Sequence, residues 1–193
     1  MDEKNILNYF FELGQLKKIE HEGWRLAGVT HPETVAGHAL RAAQIGFVLA
    51  KMEKYKNPQE VCTMIVFHDI AECRTGDIHK VANRYVKKDE QKAVKDQLKN
   101  INEIGDDIFK LWQQVEQRKT TAGIIAKDAD LLEQALLSKE YVEQGFSTAQ
   151  DWIDNVNDYV MTDSAKKILK KLDEVKSTDW WQGLKQIDLQ KPE

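Results

Sequence analysis

The chain has 193 residues, with 28 basic and 32 acidic side chains for a net charge of −4. That length fits one domain that buries about 70 % of its unfolded surface, so folding requires neither disulfides nor a structural metal. No concentrated basic patch marks a nucleic-acid polymer as partner, and the lysine pairs at 87–88, 166–167 and 170–171 are interrupted by acidic residues and read as solvated helix faces.

The first residues, Met1-Asp2-Glu3-Lys4-Asn5, lack the basic-then-apolar pattern of a signal peptide. The longest nearly apolar run, Ala42 to Ala50, is too short for the roughly 20 residues of a membrane span. A cytoplasmic protein is expected. With three prolines, ten glycines and almost no period-2 alternation, the pattern predicts an all-α fold. A first helix over about 5–16 places Ile6, Phe10 and Leu13 inward, and 23–29 reads as a loop carrying Trp24 and Arg25. Thr30 and Glu33 form a plausible capping box for a second helix running to about residue 54, with Val35, His38, Ala42, Ile45 and Leu49 on one stripe.

Asn57 and Pro58 open a third helix. On it Val61, Ile65, His68 and Glu72 share a face, and Gly76 supplies the stop. Cys62 and Cys73 would then stand roughly 16 Å apart on one helix, beyond disulfide reach, as two free thiols suited to a reducing compartment. Further helices are expected over about 87–104 (Val94, Leu98 and Ile101 inward), 106–117, 120–144 (Ile124, Leu131, Ala135 and Leu136 inward), 149–160 and 163–175. The tail Trp180-Trp181-Gln182-Gly183-Leu184 is aromatic enough to dock on the body or on a partner subunit. One domain over 1–193 is expected, with its core at about 5–145 and a helical extension over 146–193.

Three segments carry metal-type ligands: Glu33-Thr-Val-Ala-Gly-His38, the pair His68-Asp69, and Lys127-Asp-Ala-Asp130. A lone histidine on an apolar face is more often a core residue, and His-Asp pairs arise by chance. The combination weighs more, because each segment is apolar and an unpaired charge there would be expensive. Adjacent helical residues point about 100° apart, so His68 and Asp69 can share an ion only in a groove between helices. Two imidazoles and two carboxylates suit Mn²⁺, Fe²⁺, Co²⁺ or Zn²⁺. Glu72, one turn past His68, lies within reach of a reacting water and could serve as general acid or base. Asp77, after Gly76, could equally cap the next segment.

Val35-Ala-Gly-His38-Ala-Leu-Arg41, His68-Asp-Ile-Ala-Glu72-Cys-Arg-Thr-Gly-Asp77-Ile78 and Lys127-Asp-Ala-Asp130 together resemble the HD-domain phosphohydrolase superfamily, most closely its 5′-deoxynucleotidase branch. The resemblance spans about residues 5–145 and implies an HD-domain helical bundle, often a homodimer. It implies phosphate release from (deoxy)nucleoside 5′-monophosphates by a metal-activated water. His38, His68, Asp69 and Asp130 would hold one divalent ion (Mn²⁺, Co²⁺, Fe²⁺, Zn²⁺ or Mg²⁺), and Glu72 and Asp77 match the branch's catalytic acidic pair. Substrate contacts would fall near Trp24, whose ring could stack on a base, and Arg25, Arg41 and Arg74 are candidate phosphate clamps. Lys127 could pair with Asp130 or touch phosphate. Gly37 departs from the acidic residue common before the first histidine, which raises the question of a missing supporting carboxylate.

Between Asp69 and Asp130 only His79 could serve a second ion, so one metal is expected. Alarmone pyrophosphate hydrolysis is disfavoured because Cys73, not an acid, follows Glu72. A non-catalytic nucleotide-binding bundle is disfavoured by the intact ligand quartet with Glu72.

Overall fold

A computed structural model describes residues 2–185. Asp2 accepts a hydrogen bond from the Lys4 N–H and starts α1 (Glu3–Leu13). A 3₁₀ turn follows, then the single-turn α2 (Gly23–Leu26) where a loop is expected from the sequence. α3 (Val35–Met52) and α4 (Pro58–Val66) lie against each other, and Gly46 makes this possible. A Cβ at Gly46 would meet Ile65 Cδ1 at 2.2 Å. The short α5 (Glu72–Thr75) leads through an irregular stretch to α6 (Glu90–Leu98) and α7 (Asn102–Gln117). α8 (Thr121–Glu143) is the central pillar, contacted by α3, α4, α7, α9 (Gln150–Tyr159) and α10 (Asp163–Leu172). Among the described residues no helix is long and apolar enough to cross a membrane.

The main core joins Leu49 of α3, Val61 and Ile65 of α4, Ile125 and Leu132 of α8, Val156 of α9 and Leu169 of α10. The helices after residue 146 therefore share the core of those before it. A second cluster seats α1 on α6 and α7 through Tyr9, Val94, Leu98 and Trp112. A third gathers Trp24, Val29, Leu137 and Tyr141.

Several expectations are corrected. On α1, Tyr9 is buried while Phe10 is 59 % exposed, because the helix meets α6 through its Ile6–Tyr9–Leu13 face. The cap of α3 is Thr34, whose hydroxyl accepts from the Gly37 N–H, and not Thr30. The reason is tertiary: His21 N–H donates to Glu33 O (3.0 Å) and Val35 N–H to Ile19 O (2.9 Å), which holds the preceding stretch extended. Asn57, Pro58 and Gly76 act as expected at the ends of the next helical region, but that region is not one helix. α4 stops at Val66, and the chain turns through 67–71 with tight bonds such as His68 N–H to Ile65 O (3.3 Å) and Glu72 N–H to Asp69 O (2.9 Å). Cys62 and Cys73, both free, thus sit on different helices.

The α6–α7 break falls at 99–101, earlier than expected, with Asn102 at φ +50°. On α8 Ala135 is buried as expected, and the large apolar side chains that are buried with it in the main core are Ile125 and Leu132. Ile124, Leu131 and Leu136 are half-buried, because a helix packed on most sides has no single apolar stripe. In the Trp-rich tail Trp180 and Leu184 are 77 % and 74 % exposed, whereas Trp181 is half-buried. Residues 186–193 lie outside the described residues.

Candidate metal centre

His38 on α3 and Asp130 on α8 face each other because the two helices pack directly, and His68 and Asp69 arrive from the turn after α4. His38 Nε2 lies 3.1 Å from Asp130 Oδ1 and 4.0 Å from Asp69 Oδ2. His68 Nε2 lies 3.0 Å from Asp69 Oδ2 and 3.7 Å from Asp130 Oδ1. The break at 67–71 brings this about, since on a continuous helix His68 and Asp69 would diverge by about 100°. His38, His68 and Asp130 are buried, and their donor atoms lie within 4.8 Å of one another.

The ring orientations are set from behind. His68 Nδ1 pairs with the Ile65 carbonyl at 2.7 Å, which turns Nε2 toward the centre, where it has no hydrogen-bond partner. His38 Nδ1 pairs with Glu133, a fully buried carboxylate also held by Arg41 Nε at 2.7 Å. A carboxylate does stand behind His38, and it is Glu133 of α8, not the residue before His38. Its signal in the sequence was a glutamate one turn past Asp130 in the run Leu131-Leu132-Glu133.

The electrostatics describe a nest awaiting positive charge. Burial works against charged imidazoles, yet bonds to Asp130 and Glu133 hold the His38 pKa well above the usual histidine value. For His68, burial is likewise outweighed, first by the charge of Asp69, and its pKa is pushed up to about 10. Burial would raise Asp69, but the neighbouring His68 pulls it down to about 2. Asp130 is held well below the carboxylate range against its burial, first by Lys127, whose Nζ is 2.6 Å away. The buried, unpartnered Nε2 of His68 and the mixed nitrogen–oxygen donor set fit a borderline divalent ion.

A cleft of about 290 Å³ opens over this cluster. Glu72 and Asp77 both line it. Glu72 leaves Oε2 buried without a partner, and burial, then the charges of Asp69 and Asp77, push its pKa up to about 9. Asp77 accepts the Glu22 N–H at 2.6 Å, tying the loop before α2 to the rim. Trp24 also reaches the cleft, but at 2 % exposure it is a wall packed against Tyr141 and Trp152, not an open stacking face.

The three candidate arginines stand away from the cleft lining. Arg25 pairs with Glu20, with Glu22 at 3.1 Å and with the Thr30 carbonyl at 3.0 Å. Arg41 holds Glu133 and Glu140, and Arg74 holds Glu12. The cations that do line the cleft are Lys80, Lys88 and Lys127. Lys88 donates to the Gly76 carbonyl at 2.9 Å.

His79 lines the cleft, but its Nδ1 accepts the Ala82 N–H at 3.1 Å. His21 was not singled out in the sequence, yet its ring centroid lies 4.7 Å from that of His38, and with His38 and Asp69 it forms a second possible donor trio. No spacing rule reveals it, because the 19–21/33–35 pairing is what carries it there.

Comparison with known proteins places these features in a family. The HD domain family model matches residues 13–175. The 5′-deoxynucleotidase HDDC2 of Dictyostelium discoideum is 32 % identical over 150 residues, covering 72 % of this chain and 79 % of the relative. A structural-genomics crystal structure is 34 % identical with a TM-score of 0.77, covering 92 % of this chain and 99 % of the other. The HD phosphohydrolase of cyanophage S-2L, solved with dA and one catalytic Zn²⁺, shares the fold at a TM-score of 0.53 and 15 % identity over 86 % of this chain and 96 % of its own. The chain belongs to the HD domain family.

Proposed function

We propose that the protein is a metal-dependent phosphohydrolase that releases phosphate from (deoxy)nucleoside 5′-monophosphates, with His38, His68, Asp69 and Asp130 as ligands of one divalent ion. The observation that carries this reading is the convergence of two imidazoles and two carboxylates, with a buried His68 Nε2 that makes no hydrogen bond among the described residues, at the floor of a small cleft. The 5′-deoxynucleotidase relatives supply the substrate class. A cleft of about 290 Å³ suits a small nucleotide, not a polymer. A bound divalent ion would lower the pKa of a water and neutralise phosphoryl charge.

The chain's own groups do the rest. Glu72, at the cleft with an unpaired carboxyl oxygen, is placed to move a proton, either from the attacking water or to the leaving 5′ oxygen. Lys88 and Lys127 offer positive charge to the phosphate, and Asp77 fixes the rim through Glu22. Trp24 shapes the wall beside the base or sugar. One ion is favoured over two because all three donor trios of the described residues, the third being Glu33, His38 and Glu133, use His38, whose Nδ1 is already taken by Glu133. A homodimer is supported by the apolar stripe on α3, where Leu40 and Val48 are more than half exposed; light scattering reads it directly.

The test is a phosphate-release screen of ribo- and deoxynucleoside monophosphates on metal-stripped protein resupplied with Mn²⁺, Co²⁺, Mg²⁺ or Zn²⁺. Release from 5′-monophosphates with one ion per chain, lost in His68→Ala, is the expected result. Absence of release with every ion and nucleotide overturns the reading.

A further inference from the structure

His38 and His68 present the same nitrogen to the centre, but the groups behind them differ in kind. Behind His68 is a neutral backbone carbonyl. Behind His38 is Glu133, 0 % exposed, one turn beyond Asp130 on α8. Arg41, one turn beyond His38 on α3, grips the other oxygen of that carboxylate and reaches on to Glu140 at 2.8 Å. Asp130 and Glu133 therefore bracket one imidazole, one at each ring nitrogen, and a half-exposed arginine pairs with the inner carboxylate.

We propose that Glu133 is a positioning residue for the metal centre. It fixes the proton of His38 on Nδ1, leaves Nε2 free to bind the ion, and strengthens that nitrogen as a donor, while Arg41 and Glu140 hold Glu133 in register. The inference rests on the metal-site reading above. A ligand histidine whose second nitrogen donates to a carboxylate is oriented and made more basic, and loss of such a partner lowers metal affinity by about 10–100-fold. The arrangement also makes the α3–α8 packing part of the metal site, since each helix carries one ligand and one support.

The experiment compares wild type, Glu133→Gln, Arg41→Lys and His68→Ala, in full-length protein, by competition for Zn²⁺ against a chromophoric chelator. Glu133→Gln keeps the volume and an acceptor oxygen but removes the charge, and is expected to weaken Zn²⁺ binding about 10–100-fold. Arg41→Lys, on a part-exposed side chain that folding tolerates, should weaken it less but measurably, because the two-pronged grip is lost. In the zinc-loaded protein the His38 Nδ1–H proton should resonate far downfield and move upfield in both variants, a signature that general loosening of the fold would not give. Unchanged affinity in folded Glu133→Gln, with His68→Ala losing zinc, overturns this inference and leaves the function standing. If Glu133→Gln does not fold, unchanged affinity and an unmoved proton in Arg41→Lys overturn it instead. A wild-type chain that binds no zinc overturns both.

Discussion

Two aspartates two residues apart on α8, both buried, meet opposite fates. Asp128 accepts the backbone N–H groups of Met161 (2.9 Å) and Thr162 (2.6 Å) and pairs with Arg118 at 3.0 Å. Its bonds tie the start of α10 and the end of α7 to the pillar. Asp130 meets two imidazoles and a lysine, beside a His68 nitrogen that makes no hydrogen bond among the described residues. Each is a buried charge that the fold must neutralise. A carboxylate closed off by backbone donors is a strut. One surrounded by titratable groups, at a cleft, is a candidate for chemistry, here for the proposed ion.

The comparison breaks most directly at the two aspartates. Asp130→Ala should lose bound metal and all measurable phosphate release, whereas Asp128→Ala should keep one ion per chain; metal analysis after identical purification decides, and the reverse pattern would exchange their roles. Glu72→Gln should retain the ion and lose about 10²–10⁴-fold in turnover, the usual general acid–base contribution. Near-wild-type turnover would take Glu72 out of the chemistry.

Smaller effects sharpen the contrast. Asp128→Ala leaves two N–H groups unsatisfied and takes from Arg118 its carboxylate partner, and should cost about 3 kcal/mol. That would lower Tm by about 6–12 °C in a chain of this size, and a change within error would deny its role as a strut.

Acidity separates the two sites as well. Without metal, His68 keeps its proton to about pH 10 and Glu72 to about pH 9, both above their unfolded values. The folded chain then holds more protons than the unfolded one. The His68 contribution is fully present below about pH 6.5 and lost as pH rises through about 10, and the neutral Glu72 adds a loss from about pH 4.5 upward. Asp69, shifted the other way, contributes above about pH 4 and loses its contribution as pH falls through about 2. The Tm of chelator-treated protein should therefore fall between about pH 6 and pH 9, and the gain from added metal should widen over the same range. A gain independent of pH would contradict proton-for-cation exchange at this centre.

The smallest expected effect is at Arg25. Its ion pairs are partly exposed and it does not line the cleft, so Arg25→Ala should change stability by less than about 1 kcal/mol. It should leave KM near that of wild type, and a large rise in KM would return Arg25 to the substrate site.

By itself the sequence determined the helical class, most helix ends and the four ligand candidates, because helical periodicity, caps such as Asn57 and the stop at Gly76 are local, and because His38, His68-Asp69 and Asp130 sit in short motifs among apolar neighbours. It did not determine where α4 ends. The periodicity of Val61, Ile65, His68 and Glu72 continues through 67–71, and only the packed site rewards the turn that aims His68 and Asp69 together. Nor could it place His21, carried in by the pairing of 19–21 with 33–35, or Glu133, which reaches His38 across 95 residues of chain. It offered Phe10 and the Thr30 cap as reasonable local choices, and each was overruled by which face met a neighbour. Local patterns fix which residues can be ligands. Which nitrogen points inward, and which charge stands behind it, is decided only where α3 and α8 meet, because buried charges must be satisfied by whatever the packing brings within reach.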